Sequence, residues 1–369
     1  MHEKHNENEN HIENQNRNHN QNRNENQNEN RNMGLPSGIL VLYKPKGESS
    51  RATLNRLQRA LRLHQGQSPM RLRIGHAGTL DPLAEGVLVA CLGEATKLIE
   101  VIQQLPKCYT GTFQLGATSD TEDAEGTVVT LPNPPQPTCD RLQEVLSRFV
   151  GRILQRPPAY SALKIAGKRA YQLARQGDLV ELKPREIDIE RIELVAYDYP
   201  AFRLKIKCGS GTYIRSIGRD IGEAVGSGAI MTALTRESIG PLTLADALLP
   251  DVFETMQPER WLENLLPLES GVSNLPRVDL DAQTAARLLM GQTVQKDEIQ
   301  GLQRLSVNFH ASETPLCAAF SPENRLVSLL ELTDGKHVKI KKNFSSGTTR
   351  LDGNPVKQEK SLQNVRQNK

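Results

Sequence analysis

Strand-like and helix-like segments follow one another along this 369-residue chain without a fixed rhythm. Apolar and polar residues alternate in 108–116, as in a half-buried strand, whereas 51–63, 94–105 and 139–151 show the apolar spacing of helices. A strand, a glycine turn and a helix follow one another in 202–226. Because strict strand–helix alternation would indicate a doubly wound parallel sheet, the mixed order favours an α+β fold instead.

The two ends of the chain differ in composition from the rest. Nearly every even position in the first 32 residues is Asn, and such a polar tract buries too little apolar surface to fold. We therefore expect disorder over 1–33 and a large folded domain over 34–272. A smaller unit is expected over 273–337, and the basic segment 338–369 predicts a flexible tail.

Several classes of function are disfavoured by what the sequence lacks. Five cysteines without a C-x-x-C pair predict reduced thiols, and there is neither a long apolar run nor the apolar core of a signal peptide. The segments 209–214 and 226–231 lack the third glycine of a dinucleotide-binding fingerprint, and the acids of 120–126 are out of register for an EF-hand. We expect a cytoplasmic protein that needs no metal and no cofactor.

A local run of positive charge interrupts a chain whose net charge is only +3. The stretch 49–80 has no acidic residue and contains six arginines: Arg51, Arg56, Arg59, Arg62, Arg71 and Arg73. A solvated helix face is one interpretation of this run, and a track for a phosphate backbone is the other. Because the run leads directly into the loop around Asp81, the second interpretation is favoured.

The loop "GHAGTLDPLAEG" (75–86) sets one carboxylate, Asp81, among glycines. Pro82 pushes Asp81 toward an extended backbone, and Gly75 and Gly78 allow a ligand to approach the chain closely. Such an acid could cap a helix, form a turn, bind a metal or act as a nucleophile. For the loop alone a turn is favoured, and the missing metal patterns argue against a ligand role.

The Asp81 loop and four further segments, taken in order, resemble the TruB family of pseudouridine synthases in its bacterial form. The four are "GILVLYKPKGESS" (38–50), "KCYTGTFQLGATSDTEDAEG" (107–126), "RPPAYSALKIAGKRAYQLARQG" (156–177) and "CGSGTYIRSIGRDIGEAVGSGAIMTALTR" (208–236). The resemblance implies the pseudouridine-synthase fold, with a mixed, mostly antiparallel central sheet flanked by helices. It also implies a small β-rich, PUA-like RNA-binding domain at the C-terminal end, so that 34–272 would be the catalytic domain.

The resemblance further implies roles in catalysis for three residues. Asp81 stands at the position of the catalytic aspartate, and Arg215 at that of the arginine that pairs with it. Asp123 matches an acid of the same network. An arginine beside Asp81 would keep the carboxylate ionised and oriented. Lys44 and Pro45 fall in a segment that supports the active-site loop.

Other positions are implied to bind the RNA. Tyr109 matches the tyrosine that stacks on the flipped base, and Leu234 an apolar residue beside that base. Tyr213 matches a further active-site residue, and His76 a histidine in contact with the bound RNA. The expected contacts to the RNA backbone come from the arginine run, namely Arg51, Arg59, Arg62, Arg71 and Arg73.

The implied activity is the isomerisation of uridine to pseudouridine at position 55 in the T-arm of tRNA, by base flipping and an aspartate nucleophile. We expect a monomer whose partner is tRNA, with no protein partner and no membrane. The alternatives are a non-catalytic tRNA-binding or tRNA-folding protein, a synthase for another RNA, and a glycoside hydrolase that needs a second carboxylate across a sugar bond. Attack of Asp81 on C6, attack on C1′ and a glycal-like route are equally compatible with the sequence.

Overall fold

The structure is a computed structural model that describes residues 37–64, 72–161, 163–165, 168–170, 173, 176, 182–255, 263–300, 302, 315–333 and 335–344. For 62–64, 164–165 and 168–169 it describes the backbone alone. The segment 1–33, for which disorder is predicted, lies outside the described residues. Within them, no helix is long and apolar enough to cross a membrane.

The described elements are short strands and helices in irregular order. The strands are β1 (Gly38–Lys44), β2 (Ile74–Ala77), β3 (Ala84–Leu92), β4 (Lys107–Leu115), β5 (Ala117–Ser119), β6 (Val128–Thr130), β7 (Gly151–Gln155), β8 (Lys164–Ile165), β9 (Lys168–Arg169), β10 (Arg185–Asp198), β11 (Ala201–Cys208), β12 (Ala229–Ile239), β13 (Leu242–Thr243), β14 (Arg277–Asp279), β15 (Leu316–Phe320), β16 (Leu326–Glu331) and β17 (Lys339–Asn343). The helices are α1 (Ser50–His64), α2 (Ile99–Gln104), α3 (Cys139–Leu146), α4 (Ile214–Ala224), α5 (Pro250–Thr255) and α6 (Ala282–Leu289).

Nine of the described strands form one mixed sheet. Its main path runs β1-β3-β12-β4-β11-β10-β7, with β2 also paired to β3 and β13 to β12. The pair β3 and β12 is parallel, and the other pairs of this sheet are antiparallel. The predicted α+β fold with a mixed, mostly antiparallel central sheet is confirmed. Because β12 lies between β3 and β4, Leu234 pairs with Ala84 on one side and with Gly111 on the other.

The sheet is covered on both faces, which explains why β1 and β3 are almost continuously apolar. Leu40 packs in a cluster with side chains of α1 and α5. Its neighbour Ile39 faces the opposite way, into a cluster with α2 and the C-terminal strands. The other half of the sheet packs with α3 and α4, and there Phe113 stacks on Phe202 with ring centroids 5.1 Å apart.

A second sheet forms the C-terminal unit from the described strands β14, β15, β16 and β17, in that order. The pair β14 and β15 is parallel, and the other two pairs are antiparallel. The expected small β-rich unit at this end of the chain is confirmed. It shares one apolar cluster with the larger part of the protein, because Phe320 and Phe344 pack together with Ile39 and Leu98.

The strand β17 falls within 338–369, where a flexible tail is predicted from the basic composition. For residues 338–344 this prediction is wrong. Lys339 and Lys341 each form an ion pair of 2.7 Å with Glu331 on the neighbouring strand, and Val338 and Phe344 are buried. The lysines that suggest a loose tail thus belong to an edge strand, and Glu331 of β16 compensates part of their positive charge.

Two helices are shorter than predicted. The segment 94–105 begins as a 3₁₀ helix (Gly93–Leu98) and becomes α-helical only in α2. The segment 139–151 ends its α-helix at Leu146, where the Ser147 hydroxyl donates a hydrogen bond of 2.6 Å to the Glu144 carbonyl. A hydroxyl that binds a nearby carbonyl in this way competes with the backbone ladder.

Candidate active site

Asp81 lies in the connection between β2 and β3, and two buried side chains from the β1–α1 region hold that connection. Ser50 Oγ accepts a hydrogen bond from the Leu80 amide (2.8 Å) and donates one to the Leu80 carbonyl (3.0 Å). Lys44 Nζ donates to the Pro82 carbonyl (3.3 Å). The backbone on both sides of Asp81 is therefore held by side chains of a neighbouring segment, which fits the supporting role expected for Lys44.

Arg236 of β12 holds other parts of the same connection and was not predicted. Its buried guanidinium donates hydrogen bonds to the carbonyls of Gly78 (3.0 Å), Thr79 (3.4 Å) and Val87 (2.8 Å). Gly78 has a φ of 95°, a left-handed conformation that favours glycine. A Cβ atom at Gly86 would collide with the backbone of Arg236, so the close approach of β3 to β12 requires glycine there.

The Asp81 carboxylate faces the guanidinium of Arg215, which lies in the first turn of α4. Arg215 Nε lies 2.9 Å from Asp81 Oδ2 and 3.6 Å from Asp123 Oδ2. The three residues predicted to be catalytic thus come together in the structure. Arg215 also donates from Nη1 to the Thr121 carbonyl (2.7 Å) and from Nη2 to the Tyr160 carbonyl (3.1 Å), so its plane is fixed by four groups.

The two carboxylates differ in their access to solvent. The Asp81 side chain is 42% exposed, whereas that of Asp123 is 4% exposed and that of Arg215 is 6% exposed. Asp123 Oδ1 accepts hydrogen bonds from the Thr121 hydroxyl (2.6 Å) and from the Glu125 amide (3.0 Å). A substrate can therefore reach Asp81, while Asp123 is bound within the protein.

Tyr109 and Leu234 lie on adjacent strands, β4 and β12, and belong to one apolar cluster with Leu80 of the Asp81 loop. Both are buried. Burial raises the pKa of the Tyr109 phenol, the Arg236 guanidinium opposes that rise, and the Asp81 carboxylate adds to it. The phenol therefore stays protonated at neutral pH and lies within electrostatic range of Asp81.

Tyr213 is the residue before α4, and its backbone is held by an amide side chain. Gln155, the last residue of β7, donates from Nε2 to the Tyr213 carbonyl (2.9 Å) and accepts from the Tyr213 amide (2.9 Å). The Arg185 guanidinium stacks on the Tyr213 ring, 5.1 Å from its centroid, and also donates to the Gly211 carbonyl. These contacts fix the segment that enters α4 just before Arg215.

His76 of β2 is half-buried. Its Nδ1 atom is buried and has no hydrogen-bond partner among the described residues. Burial lowers the pKa of His76, and the positive charges of Arg236 and Arg51 lower it further. The ring is therefore neutral at pH 7, which suits a hydrogen-bonding contact better than an ionic one.

The arginines predicted to contact an RNA backbone are only partly described. Arg51 and Arg59 are exposed on α1, and Arg73 is exposed just before β2. Arg62 belongs to α1, where its backbone alone is described, and Arg71 lies outside the described residues. Of these exposed residues, Arg73 directly precedes β2, and Arg51 is close enough to His76 of β2 to affect its pKa. Arg59, in contrast, is close enough to Glu254 of α5 to affect the pKa of that carboxyl.

Arg56, a further member of the arginine run, forms ion pairs within the protein. Its guanidinium binds Glu48 (2.8 Å) and Glu254 (2.6 Å), and this second contact ties α1 to α5. Hydrogen bonds to these two carboxylates raise the pKa of Arg56 further above its ordinary value, against the effect of burial. We therefore assign Arg56 to packing.

Apart from Lys44, sequence reasoning missed the side chains that support this site. The sequence allows either Ser49 or Ser50 to cap α1. Ser49 does so by accepting a hydrogen bond from the Ala52 amide (3.1 Å), whereas Ser50 binds Leu80. Gln155 carries no signal in the sequence, since a single polar residue beside a strand is ordinary. The signal that could have identified Arg236 is its spacing of two from Leu234, which indicates the same face of a strand.

Two further features bear on chemistry. In the described parts of the chain, no group of three or more His, Cys, Asp or Glu residues could hold a metal ion. The five cysteines are free thiols. Burial raises the pKa of Cys91 and of Cys317 to about 12 and that of Cys208 to about 11, so these three thiols are protonated and unreactive at neutral pH.

Comparison with known proteins identifies the family. The family described as "TruB family pseudouridylate synthase (N terminal domain)" matches residues 66–214. A protein named tRNA pseudouridine synthase B from Rhodopirellula baltica is 40% identical over 263 residues, which cover 69% of this chain and 75% of that protein. A protein of the same name from Burkholderia mallei is 38% identical over 300 residues, which cover 81% of this chain and 94% of that protein.

Solved structures share the fold at lower identity. The chain resembles one from the crystal structure of a Cbf5-Nop10-Gar1 complex with a TM-score of 0.62 and 23% identity, over 88% of this chain and 92% of the other. Identity at this level shows the fold alone. The relatives of 38–40% identity show more, and on their evidence the chain belongs to the TruB family of pseudouridine synthases, a family of isomerases.

Proposed function

We propose that the chain converts uridine to pseudouridine at position 55 in the T-arm of tRNA, with Asp81 as the nucleophile. The observation that carries this proposal is the exposed Asp81 carboxylate, held 2.9 Å from the buried guanidinium of Arg215. The names of the relatives, tRNA pseudouridine synthase B, support tRNA as the substrate.

The reaction is an isomerisation: substrate and product contain the same atoms, no electrons are gained or lost, and only protons exchange with water. The C1′–N1 bond breaks, the base turns, and C1′ bonds to C5. C5 loses its proton to solvent, and N1 gains one. A carboxylate can assist by forming a covalent intermediate, because uracil is a poor leaving group. Arg215 binds Oδ2 of Asp81, and this leaves Oδ1 available to face the substrate.

A uridine within a stem-loop must leave its stack before Asp81 can reach it. Extrusion of a base costs a few kcal/mol, and stacking on an aromatic ring recovers about 1–3 kcal/mol per base. In this proposal the base enters beside Tyr109 and Leu234, which lie within one apolar cluster next to the Asp81 loop. Tyr213 contributes a further wall of the site, and His76 contacts the RNA as a neutral hydrogen-bonding ring.

Asp123 acts on Arg215 in this proposal and does not attack the substrate. Its side chain is 4% exposed, and its Oδ2 shares the Nε atom of Arg215 with Asp81. In a glycoside hydrolase, the two carboxylates stand on either side of the sugar bond. Here both approach the same nitrogen of one arginine, and this arrangement argues against the hydrolase.

The exposed arginines Arg51, Arg59 and Arg73, together with Arg62 and Arg71, are proposed to bind the RNA backbone. Such contacts supply affinity and orientation and carry no sequence information. We further propose that the enzyme acts in the cytoplasm, as a monomer without a protein partner. Light scattering on the purified chain, with and without a T-arm RNA, tests the monomer.

The decisive experiment is Asp81→Asn, which retains an acceptor for Arg215 and removes the nucleophile. The assay is tritium release from C5-labelled uridine in a T-arm stem-loop, with RNA binding measured in parallel. We expect release to fall by at least about a thousandfold while binding persists. The matched control is Asp198→Asn, an exposed acid at the end of β10.

These measurements, together with tRNA refolding and tritium release from other RNAs, separate the alternatives. Substantial turnover in Asp81→Asn would refute the nucleophile. If the unchanged chain binds and refolds tRNA but releases no tritium, it is a non-catalytic RNA-binding protein. If it modifies other RNAs and leaves the T-arm untouched, the substrate assignment is wrong.

A further inference from the structure

Glu122 lies in a turn between two residues that both contact Arg215, yet its own side chain points elsewhere. The preceding residue, Thr121, accepts a hydrogen bond from Arg215 Nη1 through its carbonyl (2.7 Å). The following residue, Asp123, brings its Oδ2 to 3.6 Å from Arg215 Nε. The orientation of this short turn therefore decides how the Arg215 guanidinium is held.

The carboxylate of Glu122 binds the helix that carries Arg215. Its Oε2 atom accepts a hydrogen bond of 2.5 Å from the Ser216 hydroxyl, and its Oε1 atom is bound by Arg219 Nη1. Both partners belong to α4, Ser216 directly after Arg215 and Arg219 one turn later. The Glu122 side chain is 11% exposed and that of Arg219 is 14% exposed, so water competes little for this pair.

Further contacts hold the backbone of Glu122 and the side chain of Arg219 in place. Glu122 has a φ of 65°, a conformation uncommon for residues other than glycine, and its surroundings maintain it. Its carbonyl accepts a hydrogen bond from the Met231 amide (3.1 Å), which docks the turn on β12. Arg219 is itself fixed by Asp220 (2.7 Å) and by the Arg156 carbonyl (2.8 Å).

We propose that Glu122 is a positioning residue for the reaction: its contacts with Ser216 and Arg219 hold the turn against α4, so that Thr121 and Asp123 fix Arg215 on Asp81. Glu122 does not touch the substrate in this proposal and acts through Arg215. The inference rests on the proposed function, because it assumes that the Asp81–Arg215 pair performs the chemistry.

The test compares Glu122→Gln, which keeps the shape and removes the charge, with Glu122→Gly, which suits the left-handed backbone and removes the carboxylate. We expect both to lower the single-turnover rate on a T-arm RNA by about 10- to 100-fold, since a small misplacement of reacting groups has effects of that size. RNA affinity, measured on Asp81→Asn with and without Glu122→Gln, should stay within about twofold, because Glu122 makes no contact with RNA in this proposal.

Two further variants sharpen the test. Arg219→Met should slow the reaction as Glu122→Gln does, and the double variant should be no slower than the worse single one, because both remove the same interaction. The matched control is Glu144→Gln on α3, a glutamate that binds Arg141 and Arg148 on an exposed helix. It should leave the rate unchanged.

Three outcomes would overturn the inference: a rate for Glu122→Gln within twofold of the unchanged chain, a loss of RNA affinity as large as the loss of rate, or additive effects in the double variant. If Glu122→Gly does not fold, the isosteric Glu122→Gln decides. Turnover in Asp81→Asn would refute the proposed function, whereas an inactive Asp81→Asn together with a fully active Glu122→Gln would refute this inference alone.

Discussion

The Ser50 hydroxyl accepts a hydrogen bond from the amide of Leu80 and donates one to the carbonyl of the same residue. Leu80 directly precedes Asp81. By holding the backbone of Leu80, the Ser50 side chain of α1 therefore fixes the position from which the Asp81 carboxylate extends. In Ser50→Ala both backbone groups of Leu80 lose their partner. We expect the free energy of unfolding to fall by about 1–3 kcal/mol and the single-turnover rate to fall about tenfold or more.

The control for Ser50→Ala is Ser49→Ala, one residue earlier. Ser49 caps α1, and its loss should cost about 1 kcal/mol of stability with little change in rate. Urea unfolding and tritium release from C5-labelled uridine measure the two effects. An equal loss of rate in both variants would show that stability, and not the position of Leu80, controls the reaction.

Gln155 supplies both a donor and an acceptor to the backbone of Tyr213. In Gln155→Glu, a carboxylate oxygen replaces the donor and faces the Tyr213 carbonyl, so we expect a loss of about 1–3 kcal/mol of stability. Because α4 begins at this point, the rate should fall more than the RNA affinity. Single-turnover kinetics measure the loss of rate, and binding assays measure the loss of RNA affinity. The control is Gln114→Glu, at an exposed position of β4. A rate equal to that of the control would contradict the prediction.

The burial of Lys44 predicts a pH dependence of stability. Burial lowers the pKa of Lys44 from 10.5 to about 8, and the nearby acids Glu48 and Asp81 only partly oppose this effect. Between about pH 8 and 10.5 the unfolded chain holds this proton and the folded chain does not, so this contribution to stability rises with pH across that window.

Lys44→Met removes this contribution. The free energy of unfolding of the unchanged chain, minus that of Lys44→Met, should therefore increase from pH 7.5 to pH 10. Lys107 is a second buried lysine whose pKa is lowered by burial to about 8, so Lys107→Met should behave in the same way and the double variant should show both changes. Urea unfolding at the two pH values tests this, and a flat difference would contradict it.

The exposed arginines of α1 predict a salt dependence of RNA binding. Each phosphate contact contributes about 0.7–0.9 to the slope of log K against log salt. Arg51→Ala combined with Arg59→Ala should therefore lower this slope by about 1.5. Arg141→Ala on α3 combined with Arg148→Ala directly after α3, two exposed arginines, should not change it. Affinities for a T-arm RNA at four salt concentrations measure the slope. Equal slopes for both double variants would remove α1 from the RNA interface.

The strands that could be predicted are those with a simple pattern. β4 alternates, and β1 and β3 are apolar because both of their faces are covered. The central strand β12 was missed, because irregular pairings between Met231 and Ala233 and between Arg236 and Ser238 break its alternation. Arg236, one of its polar residues, is buried and binds the carbonyls of Gly78 and Thr79 in the β2–β3 connection and of Val87 in β3.

The reacting residues of the site could be predicted from the sequence, whereas most of the residues that position them could not. Asp81 stands out through its glycines and Pro82, and the resemblance to a known family brought Arg215 and Asp123 into the same site. Ser50, Gln155 and Glu122 act on groups that only the folded chain brings near them. Hydrogen bonds of this kind leave no spacing rule in a sequence, since any polar residue at the right place in space can make them.

The apolar cluster shared by the two sheets has a mechanical consequence. Phe344, at the end of β17, packs with residues of β1 and of the 3₁₀ helix before α2, and Lys97 Nζ donates to the Asn343 carbonyl (2.6 Å). Rotation of the C-terminal unit away from the larger sheet would expose these shared apolar side chains to water, which is unfavourable. The shared core therefore opposes any change in the position of the C-terminal sheet relative to β1 and β3, the strand that follows the Asp81 loop.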